Sequence, residues 1–159
     1  MRLVIFLLAL GLPAAAQFQQ MEVTFEDTGC ASCVESLEGR LARVRGVEAV
    51  DLDAERGVVT LRLEENNRVR LGPLFARITQ DGTKITRVAA VAHGAIEGNA
   101  DAWLFHPSGL GQAFRLQPTG EVAKVRPESG VVYKVSGVVT AFGAGEEPVF
   151  EAAAIVAAK

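Results

Sequence analysis

The chain has two cysteines, set three residues apart in the stretch Thr28-Gly29-Cys30-Ala31-Ser32-Cys33. Two thiols at this spacing can grip one metal ion, exchange electrons as a disulfide, or staple a turn, and spacing alone does not choose among the three. No other stretch offers comparable chemistry. His106-Pro107-Ser108-Gly109 lacks the Gly-x-Ser-x-Gly frame of a nucleophile elbow and reads as a turn. Gly109-x-Gly111 lacks the third glycine and the following helix of a phosphate loop, so it reads as a turn too. A non-enzymatic role centred on Cys30 and Cys33 is the expectation, and the elements around them must decide which role it is.

Those elements follow from the spacing of apolar residues. Met21, Val23 and Phe25 alternate with Glu22, Thr24 and Glu26, which predicts a half-buried strand running into the cysteine loop. After Cys33, Val34, Leu37, Leu41 and Val44 recur at three- and four-residue steps, the stripe of an amphipathic helix, and Gly46 stops it. Val47, Val50 and Leu52 predict a second strand, Asp53 to Gly57 a turn, and Val59, Leu61 and Leu63 a third strand. Leu71, Leu74, Phe75 and Ile78 repeat the helical stripe, with Pro73 where a first helical turn tolerates it and Asp81-Gly82 closing the helix. Lys84 to Ala92 returns to strand character. The order strand, helix, strand, strand, helix, strand is that of a ferredoxin-like βαββαβ unit.

Beyond His93-Gly94 no helical stripe recurs. Short β-rich runs at Trp103 to Phe105, Phe114 to Leu116, Val122 to Val125, Val131 to Val139 and Val149 to Val156 alternate with Pro, Gly and Ser punctuation. They predict a small all-β domain, an OB-like barrel or a sandwich, with Trp103, Phe105, Phe114, Tyr133 and Phe150 in its core. The expected fold class is α+β, with one unit over residues 17–94 and a second over 95–159.

Residues 1–16 form a separate segment. Arg2, the apolar run Leu3 to Leu12 and Ala14-Ala15-Ala16 have the pattern of a secretory signal peptide, and the run is too short to span a bilayer, which needs about 20 residues. Cleavage after Ala16 is expected, giving an exported protein, periplasmic or secreted, with no membrane contact. Loss of Arg2 from the 16 basic residues leaves 15 against 19 acidic ones. With this mild acidity and no run of Lys or Arg, nucleic acid is not an expected partner.

Gly29-Cys30-Ala31-Ser32-Cys33 leading into a helix, then Leu41-x-x-x-x-Gly46-Val47-x-x-Val50 and Leu74-x-x-x-Ile78-x-x-x-Gly82, resembles the heavy-metal-associated domain of copper chaperones and periplasmic mercury-binding proteins. The likeness runs from Met21 to Ala92. It implies that Cys30 and Cys33 hold one soft ion, Cu(I) foremost or Hg(II), on an exposed loop and pass it to a metal donor or acceptor protein by thiolate exchange. It also implies that Thr28, Gly29, Gly82 and Lys84 frame the loop, with the Lys84 ammonium offsetting the charge of a bis-thiolate site. Thr28 stands where the family commonly has methionine, and Gly29 frees the backbone beside Cys30.

Physical chemistry leads to the same ions. Soft thiolates select Cu(I) or Hg(II), and two sulfur ligands leave Zn(II) short of its usual four. Cys33 should lie in the first helical turn, where free N–H groups stabilise a thiolate, and Cys30 on the outer side of the loop. His93, at the far end of the fourth strand, is expected to be a boundary residue. Two other readings stay open: a thiol-disulfide exchanger, and a β-domain interaction module carrying a metal-responsive or vestigial first domain. A purely structural disulfide would constrain little chain.

Overall fold

The computed structural model describes residues 17–26, 29–99, 102–140 and 147–158. The segment expected to be a signal peptide and the loop residues Asp27 and Thr28 lie outside them. The first half follows the predicted order: β1 (Phe18–Glu26), α1 (Ala31–Leu41), β2 (Val47–Asp53), β3 (Val58–Leu63), α2 (Leu71–Thr79) and β4 (Lys84–Asn99). The strands β2, β3, β1 and β4 lie side by side in that order, all antiparallel, as in a ferredoxin-like unit.

Each element forms for a local reason. Met21, Val23 and Phe25 are buried on one face of β1, while Glu22, Thr24 and Glu26 lie on the other. Val34, Leu37 and Leu41 of α1 and Leu71, Leu74, Phe75 and Ile78 of α2 are buried in the same core. At about 1.5–3 kcal/mol for each fully buried large apolar side chain, this stripe rather than intrinsic propensity holds α1 in place. Helix α1 ends at Leu41, one turn before the expected Val44, and the chain turns at Gly46 (φ +93°). The predicted β2–β3 hairpin is present, and its Gly57 carbonyl accepts a hydrogen bond from Phe25 N–H of β1 at 2.8 Å.

The second half departs from the expectation in two places. The fourth strand does not end near Ala92. It continues to Asn99, so the boundary expected near Gly94 falls inside a 16-residue strand. The run Val122 to Val125, expected as a strand, instead ends a short 3-10 helix, Gly120–Lys124, with Val125 following it and Lys124 paired to Glu121. Its two valines offer too little apolar surface to bury a strand, and Gly120 takes a positive φ that turns the chain. The other runs are strands: β5 (Ala102–Pro107), β6 (Phe114–Pro118), β7 (Val132–Thr140) and β8 (Val149–Ala157).

All eight strands belong to one sheet, in the order β2-β3-β1-β4-β5-β6-β8-β7, and a further β4–β7 pairing joins its last strand back to β4. Along one edge β4 pairs with β1 through Ala92 and then with β5 from Gly94, while residues 88–95 pair with β7. The strands β4, β5, β6, β8 and β7 therefore close into a ring. Phe105, Phe114 and Phe150 are fully buried together, with edge-to-face ring contacts of 5.4 and 6.2 Å, and Phe18 of β1 joins them 5.9 Å from Phe114. Core residues of both halves form one contiguous cluster. The fold class is α+β, a ferredoxin-like unit extended by further strands into a large mixed sheet.

Candidate metal centre

Strand β1 delivers the chain to Gly29, whose φ of +78° turns it into α1. Among the described residues nothing stands within 4 Å of where a Gly29 side chain would begin. Cys30 occupies the N-cap position of α1, and Cys33 is the third residue of its first turn. Both are half-buried, between exposed Ala31 and Ser32. The Cys30 carbonyl accepts hydrogen bonds from Cys33 N–H at 3.0 Å and Val34 N–H at 3.2 Å. Among the described residues no side chain caps this helix end and no acidic residue lies in its first turn, so its positive dipole end faces the sulfurs.

The two sulfurs are bonded to each other, with Cα atoms 5.2 Å apart. The sequence left the state of this pair open: the first helical turn brings the two Sγ atoms within covalent reach, and the structure holds the oxidised pair. A thiol pair this close can also clasp a single ion after two-electron reduction. Among the described residues, no group of three or more His, Cys, Asp or Glu side chains comes together to hold a metal. The donor set there is two sulfurs, which suits a soft two-coordinate ion and falls short of the four ligands of a zinc site.

The α2–β4 turn lies at the same end of the sheet. Gly82 adopts φ +92° and donates to the Thr79 carbonyl at 3.0 Å. Lys84 pairs in register with Glu26, the last residue of β1, and its exposed side chain makes no hydrogen bond or ion pair among the described residues. Gly82 and Lys84 are therefore brought to the cysteine end, whereas Thr28 falls outside the described residues. His93 lies at the other end of the β1–β4 ladder, its N–H bonded to the Gln17 carbonyl at 2.9 Å, and is not part of the centre.

A side-chain relay that the sequence did not disclose ties helix and turn together. Arg40 folds back along α1, donating from Nη1 to Ser36 Oγ at 2.8 Å and from Nη2 to Asp81 Oδ2 at 2.7 Å. Ser36 Oγ donates in turn to the Cys33 carbonyl at 2.9 Å. Asp81 also accepts from the Thr83 hydroxyl at 2.8 Å, and Arg40 and Asp81 retain only 17% and 14% of their side-chain exposure. Burial alone would raise the Asp81 pKa, but the bonds from Thr83 and Arg40 and the Arg40 charge outweigh it and hold the carboxyl below the usual range. The only sequence signal was the four-residue spacing of Ser36 and Arg40.

This geometry, two sulfurs on the first turn of α1 in a βαββαβ frame, has a counterpart among known families. Residues 22–80 match the family model of the heavy-metal-associated domain. The matched segment takes in both cysteines, both helices and the hairpin, and stops just short of Asp81. The sequence likeness drawn over Met21 to Ala92 is thus matched over most of its length. No curated protein and no solved structure matches the chain significantly.

Proposed function

We propose that the protein, once its disulfide is reduced, captures one soft metal ion between Cys30 and Cys33 and passes it to a partner protein. The observation carrying this reading is the placement of both sulfurs at the N-terminus of α1, inside the segment that matches the heavy-metal-associated domain. A dithiol reductant supplies the two electrons and two protons by thiol-disulfide exchange, itself becoming a disulfide, and binding of Cu(I) to the resulting dithiol releases two protons to leave a bis-thiolate complex of net charge minus one. The exposed Lys84 ammonium at the same end would offset that charge. Transfer proceeds as a partner thiolate adds to the metal and one protein sulfur departs, an exchange that two-coordination keeps open to attack. Cu(I) is the leading cargo and Hg(II) the second. The leader pattern of residues 1–16 supports export to the periplasm or beyond.

Reduced protein, titrated anaerobically with Cu(I), Hg(II) and Zn(II) against a competing chelator, should bind the two soft ions one per chain and Zn(II) weakly. The Cys30→Ser/Cys33→Ser variant should bind none. Soft-ion binding that survives both substitutions refutes the reading.

One observation favours a second reading. The oxidised pair at a helix N-terminus is also the arrangement of a thiol-disulfide exchanger. Catalytic reduction of insulin by the reduced protein, without cysteine-dependent metal binding, would select it. For the second half, the closed ring order β4-β5-β6-β8-β7 supports an OB-type barrel, a platform suited to partner docking.

A further inference from the structure

Toward the end of the ferredoxin-like unit away from the cysteines, four arginines of two connections converge with a fifth from the last turn of α2. Arg43 and Arg45 come from the α1–β2 connection, Arg68 and Arg70 from the β3–α2 connection, and Arg77 from α2, and together they line a concavity of about 290 Å³. Its apolar floor is Val69 and Leu74, 3% and 1% exposed. All five arginines are exposed, and none makes an ion pair or side-chain hydrogen bond among the described residues. The whole chain carries a formal net charge of minus 3, so this concentration of positive charge runs against its overall balance.

The backbone beneath the cluster is pinned. Glu64 N–H donates to the Gly46 carbonyl at 2.9 Å, joining the two connections. Buried Asn67 donates to the carbonyls of Phe18 at 2.9 Å and Glu64 at 2.8 Å, and accepts from Val69 N–H at 3.2 Å. A side chain at Gly46 would meet Asn67 Cβ and Val69 Cγ2 at 3.0 Å and would be strained at φ +93°, so the two loops pack closely here. Arg45 and Arg68 also border a second concavity of about 560 Å³, lined otherwise by Gly46, Glu64, Asn66 and Asn67. Asn66, beside Arg68, holds φ +63° and is the one non-glycine residue with positive φ among those described.

We infer that the arginine-lined concavity binds a small ligand bearing two phosphate groups. Guanidinium groups match phosphate oxygens in bidentate fashion, and each phosphate group brings a charge of about −1.5 to −2 near neutrality, so two offset most of five positive charges. A cleft of this size takes a small molecule rather than a flat macromolecular surface, and the adjoining polar concavity leaves room for the rest of the ligand. The site is separate from the cysteine pair and works whether that pair is oxidised, reduced or metal-loaded.

The test uses the full chain and inorganic pyrophosphate in calorimetric titration at about 0.1 M salt, where the attraction of exposed charges is not yet lost to screening. One pyrophosphate should bind per chain, weakening steeply with added salt. Arg45→Gln/Arg68→Gln should weaken it by at least about tenfold, a change of about 1.4 kcal/mol. Arg56→Gln/Arg115→Gln, which alters arginines outside the cluster, should leave it unchanged. In the unsubstituted protein, pyrophosphate should shift the side-chain N–H resonances of the five arginines selectively, a readout independent of any variant's folding. The inference is overturned by absence of binding, by equal weakening in both double variants, or by orthophosphate binding as tightly as pyrophosphate. Binding only to vesicles of phosphatidylcholine and phosphatidylglycerol would overturn it too, making the surface a membrane-docking one.

Discussion

Replacing Asp81 with asparagine tests the relay that joins α1 to the turn beside the cysteine loop. The substitution keeps the shape and the bond from Thr83 but removes the charge facing Arg40. A hydrogen bond to a charged group contributes about 1.5–3 kcal/mol, and breaking a fully buried ion pair costs about 3–5 kcal/mol. The Arg40–Asp81 pair is mostly but not wholly buried, and Arg40 Nε is already buried without a partner, so the guanidinium has no replacement acceptor at hand. A loss of about 2 kcal/mol at neutral pH follows, or about 6 °C in Tm for a chain of this size. The pH dependence carries a definite sign. The Asp81 carboxyl is held below its unfolded value of about 3.9, so its contribution is complete above that pH and is lost as pH falls through the folded value. Urea unfolding of both proteins from pH 7 down to pH 3 should show a gap that is constant above about pH 5 and narrows toward the acid end. Equal stabilities at pH 7, or a gap unchanged at the acid end, would refute the assigned role.

Three further outcomes are expected. Reducing the Cys30–Cys33 disulfide should lower stability by no more than about 2 kcal/mol, because it closes so short a loop, and far-ultraviolet circular dichroism should be unchanged. Gly137→Ala and Gly94→Ala should each destabilise by about 1–3 kcal/mol or prevent folding, since the new methyl would meet the Glu151 carbonyl oxygen in the first case and the His106 carbonyl oxygen and Phe105 ring in the second. Thermal melts of Gly111→Ala, where nothing lies within 4 Å but φ is +62°, should show a smaller loss from backbone strain alone. His93 loses hydration on burial and lies opposite Lys134, both of which lower its pKa, so the unfolded chain takes up the proton first as pH falls through about 6.5. Stability should decline there, and His93→Gln should flatten that part of the pH profile.

The sequence made the first half legible because each element there buries one face, and a buried face leaves a period. The alternation of β1 and the stripes of α1 and α2 needed no knowledge of their neighbours. Gly94 was misleading. Glycine commonly punctuates strands, but here it lies in mid-strand because the His106 carbonyl and the Phe105 ring come too close for a side chain, and no single-sequence pattern carries that information. Val122 and Val125 read as strand by composition, yet only contact with a sheet edge could have made them one, and β6 and β8 pair directly with each other instead. At the candidate centre Cys30 and Cys33 were visible as a motif, and the β1–β4 register sets Lys84 opposite Glu26 at the end of β1. Their oxidation state was not legible, because it depends on how near the first helical turn brings the two sulfurs. Arg40 and Asp81 lie 41 residues apart, and the five arginines come from three segments, so no run of charge announced either.

The single strand β4 begins at Lys84, beside the cysteine loop, and ends at Asn99 inside the closed ring, serving as a wall of both. The halves are thus joined by shared hydrogen bonds rather than by a tether. The ring cannot be excised with its sheet complete, because a fragment starting after Gly94 lacks most of the β4 residues that pair with β7, and one ending there keeps the β1–β4 ladder but uncovers the β4 edge that β7 occupies. Melting should therefore be a single cooperative transition, and a disturbance at either end has a continuous ladder along which to be felt at the other.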